Sequence, residues 1–197
     1  MLRWLKSNHQ TVTSIAAMMV SVIALYVAWD QSRVMRAQQH GAVIPALQID
    51  GFISNEGERV VLGLRVFNNG VGPAFIESVD VYRQGEPQSD LTVLLRAAGL
   101  DTDDRSWTTM AGRVMAPGQS VEPVRMGWPA EQVGVTELSQ LAREFSDWET
   151  RICYCSVFDR CWIANSANAR PRAVERCEPA STDAFENFGL LDIAEEG

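Results

Sequence analysis

Hydrophobic and polar positions follow two regimes that meet near Ala46. Residues 11–29, TVTSIAAMMVSVIALYVAW, hold fifteen apolar residues out of nineteen and no charge. At about 1.5 Å per residue the run spans roughly 28 Å as a helix, close to the thickness of a hydrocarbon core. Thr11, Thr13, Ser14 and Ser21 are its polar members, and their hydroxyls can bond back to the helix. Trp4 on one flank and Tyr26 and Trp29 on the other suit the two interfacial belts. No small-x-small cleavage site follows Trp29, so the segment reads as a retained anchor rather than a signal peptide. Asp30 to His40 (DQSRVMRAQQH) lacks Gly and Pro and extends the helix as a stalk, which Gly41 and Pro45 stop.

Beyond Ala46 the period changes to two. Leu47 and Ile49 alternate with polar residues ahead of Phe52, and Asn55-Glu56-Gly57 marks a turn. Arg59 to Asn69 reads as the strongest strand, with Val60, Leu62, Leu64 and Val66 on one face and Val61, Gly63, Arg65 and Phe67 on the other. The connection that follows contains Asn69, Gly70, Gly72 and Pro73; its glycines permit positive φ, and the proline cannot donate to a ladder. Ala74 to Arg83 is the next strand, Gln84 to Gln88 a turn. Strands near Trp107–Met115 and Ser120–Trp128 are split by Pro117-Gly118, and a hairpin runs from Arg151–Phe158 through Asp159-Arg160 to Cys161–Ala164. Two short helices interrupt. Asp90–Ala98 has Ser89 or Asp90 as cap and Gly99 as stop; Thr136–Phe145 has Thr136 as cap and a stripe of Leu138, Leu141, Ala142 and Phe145. Trp107, Trp128, Trp148 and Trp162 are expected in the core.

Short strands with turn signals roughly every ten residues predict a mainly β fold, an immunoglobulin-like β-sandwich with one or two short helices. The expected organisation is a cytoplasmic tail at 1–10, a transmembrane helix at 11–29, a stalk and linker at 30–45, a β-rich extramembrane domain at 46–177 and an acidic tail at 178–197. In that tail Phe185, Phe188, Leu190 and Leu191 can dock.

Charge sharpens this picture. Residues 1–40 carry four basic residues against Asp30, whereas residues 41–197 carry thirteen arginines against twenty-four acids, a formal −11. An acidic domain on a basic stalk is repelled by nucleic acid, so no nucleic-acid partner is expected. Arg3, Lys6 and the amino group outweigh Arg33 and Arg36, which Asp30 offsets. The positive-inside rule then puts the N-terminus in the cytoplasm and the domain outside, in the periplasm if the cell is a bacterium.

Two patches carry a resemblance. FNNGVGPAFIESVDVY, Phe67 to Tyr82, and RICYCSVFDRCW, Arg151 to Trp162, are similar to segments of small uncharacterised bacterial membrane-anchored proteins. Those proteins share a helix, a Gln- or Arg-rich stalk, an N-G-x-G-P-A turn and a late C-Y-C-S-V-F-D-x-C-W hairpin. The stalk RAQQHGAVIPALQI, Arg36 to Ile49, resembles theirs as well. The resemblance implies a membrane-anchored protein and no particular activity; the single pass and the inner-membrane placement follow from the anchor and the charge bias.

Candidate chemistry rests on four cysteines, Cys153, Cys155, Cys161 and Cys177. Outside the cytoplasm they imply up to two disulfides with three possible pairings. Cys155 with Cys161 is the favoured one, since a hairpin can close it. Inside the cytoplasm they would be free thiols or zinc ligands, and adjacent same-face thiols also suit copper(I). No cofactor is predicted beyond that metal alternative. His9 and His40 are the only histidines and lie outside the domain, which removes any Ser-His-Asp or Cys-His arrangement within it. No phosphate-binding loop or nucleophile elbow occurs, so no catalytic residue is assigned. Asp101, Asp103 and Asp104 read as a solvated loop.

In the anchor, Ser14, Ala17, Ser21, Ala24 and Ala28 recur at spacings of three and four and form one stripe of small residues. Such a stripe suits close packing against a second copy or another membrane helix, with lipid around the rest. The expected function is a membrane-tethered, non-catalytic protein-interaction module, accessory or immunity-type. The alternative is an envelope protein that handles metal or redox equivalents through its cysteines.

Overall fold

Apolar residues without a helix breaker build the first element. In the computed structural model, which describes residues 9–88, 104–179 and 183–186, His9–Gly41 is one continuous helix, α1. Its stretch Gln10–Arg36 is long and apolar enough to cross a membrane. The stalk is thus the same helix carried on to Gly41. The chain divides into two compact units, Met1–Ala42 and Val43–Gly197.

The second unit is a sandwich of two antiparallel sheets, immunoglobulin-like in that layered sense. Leu47–Glu56 (β1), Arg59–Asn68 (β2), Ser120–Pro129 (β7) and Asp104–Trp107 (β5) form one sheet in the order β1-β2-β7-β5. Asn168–Val174 (β10), Cys161–Asn165 (β9), Trp148–Cys155 (β8), Ala74–Arg83 (β3) and Glu86–Gln88 (β4) form the other in that order, and Val114–Met115 (β6) pairs with the start of β3. Period-two patterning decides which side chains meet. Leu62, Leu64, Val66, Val124, Met126 and Trp128 face Ile76, Val79, Val81, Ile152, Tyr154 and Ala164, all buried. At roughly 25 cal/mol per Å² of apolar surface, each such side chain contributes about 1.5–3 kcal/mol.

Several expectations need correction. Residues 84–88 are not all turn. Gln84 and Gly85 both have positive φ, as a tight hairpin turn requires, and Glu86 to Gln88 return along β3 as β4. The strand expected at Trp107–Met115 is two strands in different sheets: β5 pairs with β7, β6 with β3, and Gly112 at φ +75° turns the chain between them. Trp107 accordingly lies exposed, while Trp128 is fully buried. The strand β10 was not expected, because Pro171 argues against a strand; it is tolerated on the sheet edge, at a bulge.

Val135–Ser146 forms the second helix, α2. Gly134 is its N-cap, and Thr136 lies inside the first turn instead of capping it. Leu141 is buried and Phe145 half-buried, whereas Ala142 of the expected stripe is exposed. The helix expected at Asp90–Ala98 lies outside the described residues. The domain does not end at Cys177. Asp183 accepts hydrogen bonds from the backbone of Met110 (2.5 Å), Ala111 (2.6 Å) and Phe185 (2.8 Å), and the Phe185 ring enters the core. Phe188, Leu190 and Leu191 lie outside the described residues.

Candidate functional site

Strand registers bring the chain's most distinctive residues to one end of the sandwich. Leu47 pairs with Asn68, Phe75 with both Val114 and Cys155, and Cys155 with Cys161. Here β1 begins, β2 ends, β3 begins and the β8–β9 hairpin turns.

Asn68 organises this end. It is fully buried. Its Oδ1 accepts from the N–H groups of Ala46 (3.2 Å) and Gly70 (3.0 Å), and its Nδ2 donates to the carbonyls of Gly72 (2.8 Å) and Met115 (3.0 Å). The turn motif in the sequence points to Asn69 instead, and that side chain donates outside the core to Gln48 Oε1 at 2.9 Å. Gly70 and Gly72 are not at positive φ as expected. They are needed because backbone of residues 43–46 presses against them: a Cβ at Gly70 would overlap Ile44 and Ala46, and one at Gly72 the Val43 carbonyl. Pro73 precedes the first ladder position of β3. Beside this junction the Tyr154 hydroxyl accepts from the Leu47 N–H at 3.3 Å. Burial pushes that phenol up to about 12, so it stays protonated.

The cysteines are all oxidised: Cys155 bonds Cys161 and Cys153 bonds Cys177, with Cα separations of 4.0 and 5.7 Å. Alternation along β8 turns Ile152 and Tyr154 inward and Cys153 and Cys155 to the outer face, so both bonds staple that face. The sulfurs of Cys155, Cys161 and Cys177 lie within 4.8 Å of one another. Cys155 Sγ sits 3.7 Å from Cys177 Sγ, a packing contact, since a disulfide sulfur has no proton to donate. Zinc and copper bind thiolates, and none of these sulfurs is one while both bonds are formed.

An apolar rim surrounds the disulfides. Within the described residues beyond Val43, the exposed large apolar side chains are Ile44, Ile53, Val71, Phe75, Trp107, Val114, Val157 and Phe158. All but Ile53 and Trp107 lie at this end, on neighbouring strand ends and on the β8–β9 turn. Single exposed apolar residues are ordinary; a group at one end is not. Elsewhere an apolar cavity of about 210 Å³ lies between the sheets, lined by Leu64, Val81, Val124, Phe145, Trp148 and Phe185 among others. It holds no titratable side chain.

In α1 the helical geometry puts Ser14, Ala17, Ser21, Ala24 and Ala28 on one stripe. Ser14 Oγ donates to the Gln10 carbonyl and Ser21 Oγ to the Ala17 carbonyl, both at 2.8 Å. Those hydroxyl protons are committed inside the helix, so the stripe offers any packing its small size and two acceptor oxygens.

No protein-family model, curated protein or solved structure matches this chain. The functional reading therefore rests on its own geometry.

Proposed function

We propose that this protein is a single-pass membrane protein whose disulfide-stapled sandwich stands outside the cytoplasm, in the periplasm of a bacterium, as a non-catalytic protein-interaction module of accessory or immunity type. The apolar rim around the two disulfides carries the reading. Ile44, Val71, Phe75, Val114, Val157 and Phe158 expose apolar surface together, and the usual reason for such a cluster is a partner that covers it. Two supports stand beside it. Both disulfides need an oxidising compartment to persist. The N-terminal flank is the more basic one, which favours N-in and domain-out insertion. In the anchor, the stripe through Ala17 and Ala24 would lie against the partner's membrane helix or a second copy. The rival reading divides: metal binding requires thiolates that the two disulfides consume, and redox handling requires one of these bonds to open and close in turn.

Site-specific photo-crosslinking in cells tests the reading. A benzophenone amino acid at Val114 or Val157 should give a discrete adduct with one protein, and the same group at Ile53 or Glu131 should not. Absence of an adduct at both rim positions, or one identical set of adducts at all four, overturns it.

A further inference from the structure

The arginines on and just after β10 do not fit the electrostatics of the rest of the domain. Residues 41–197 carry a formal −11, yet Arg170, Arg172 and Arg176 stand within seven residues with only Glu175 among them. On the outer face of the second sheet, Arg151 on β8 pairs with Asn165 on β9, which pairs in turn with Asn168 on β10; one rung further, Cys153, Ile163 and Arg172 align. Between Asn168 and Arg172 the edge strand takes four residue steps against two on β9. That bulge carries Arg170. Arg151, Asn165, Asn168, Arg170 and Arg172, with Ile163 as floor, line one open groove of about 630 Å³.

The groups along the groove differ in how far they are committed. Arg151 is fixed: it pairs with Glu149 and its guanidinium lies 4.1 Å from the Tyr82 ring centre. Asn165 Nδ2 donates to the same Glu149 carboxylate at 2.6 Å. Glu149 stands one rung back, opposite Tyr82, and Asp80, across from Arg151 on β3, is the acid on Arg151's own row, on the side away from β9. Arg170 and Arg172 are exposed or nearly so and have no ion-pair partner among the described residues. Arginines on an edge strand often serve only to block edge-to-edge pairing. Pro171 and the bulge already do that on this strand, and Arg151 lies two strands in from the edge.

We propose that this groove binds a phosphate-bearing ligand, a phosphate ester or diphosphate. Guanidinium forks match phosphate oxygens in pairs, and two uncommitted forks offer more donors than one carboxylate can accept. Bulges recur where a side chain is re-aimed at a ligand, and this one sets Arg170 beside Arg172. Arg170 and Arg172 hold the phosphate, and the carboxamide of Asn168 meets the polar atoms beside it, since Asn165 is held by Glu149 and by the Ala167 N–H.

Isothermal titration of the full chain in neutral detergent with inorganic pyrophosphate tests this. One saturable site is expected. Arg170→Ala and Arg172→Ala should each weaken it about tenfold or more. Arg172→Lys, which keeps the charge and loses the fork, should fall between, and Arg143→Ala on α2 should leave it unchanged. Each variant should keep the native melting temperature and blocked thiols, so that a loss of binding reports on the groove. Competition by micelles doped with phosphatidic acid would identify a lipid headgroup as the source of the phosphate, and its failure a soluble ester. No saturable binding to the native chain, or equal affinity in all the arginine variants, overturns the proposal.

Discussion

The carboxamide of Asn68 uses all four of its hydrogen-bonding positions inside a fully buried junction, and those bonds tie together three segments distant in sequence. Removing it leaves the N–H groups of Ala46 and Gly70 and the carbonyls of Gly72 and Met115 without that partner. Asn68→Ala should therefore cost about 2–4 kcal/mol, against less than about 0.5 kcal/mol for Asn69→Ala, whose side chain bonds at the surface. Urea unfolding midpoints of the two variants, compared with the native chain, check this; equal midpoints would contradict it. The turn motif points to Asn69, yet strand parity already separates the two asparagines. The parity that turns Val60, Leu62, Leu64 and Val66 inward also turns Asn68 inward. The role of Gly70 and Gly72 was not legible, because it depends on the path of residues 43–46, which sequence spacing does not reveal.

At the scale of elements, local signals were sufficient where they sat on consecutive strands. The β8–β9 hairpin could be read from alternation, and with it the Cys155–Cys161 bond, since the two residues pair directly across the ladder. Its turn lies earlier than expected, because β8 ends at Cys155 and the chain reverses through residues 156–159 rather than at Asp159-Arg160. Cys153–Cys177 could not, because it depends on β10, and Pro171 hid that strand. The split of β5 from β6 was hidden in the same way: which sheet each end of Trp107–Met115 joins is a long-range matter. Native protein kept from reductant should weigh four hydrogens less than reduced protein, with peptides linked Cys153–Cys177 and Cys155–Cys161. Links of any other pairing would contradict the fold of this end. In the chain-entropy picture the wider loop, with a separation of 24 residues against 6, contributes about 3.4 kcal/mol against about 2.2. Cys177→Ser should thus lower stability more than Cys161→Ser.

Across the whole molecule, one helix long and apolar enough to cross a membrane and one acidic sandwich form two compact units. The fold class was readable because an uninterrupted apolar run gives way to period-two alternation near Ala46. The binding surfaces were not, because the rim and the arginine groove exist only where separate strands meet. The account makes the sandwich an extracytoplasmic domain, held by α1, with its disulfides formed and its apolar rim open to a protein partner. Alkaline phosphatase fused to the C-terminus of the full chain tests that arrangement directly, since the enzyme is active only where its own disulfides form. The account predicts an active, membrane-bound fusion. An inactive fusion, with a green fluorescent protein bright at the same position, would place the domain in the cytoplasm and contradict it.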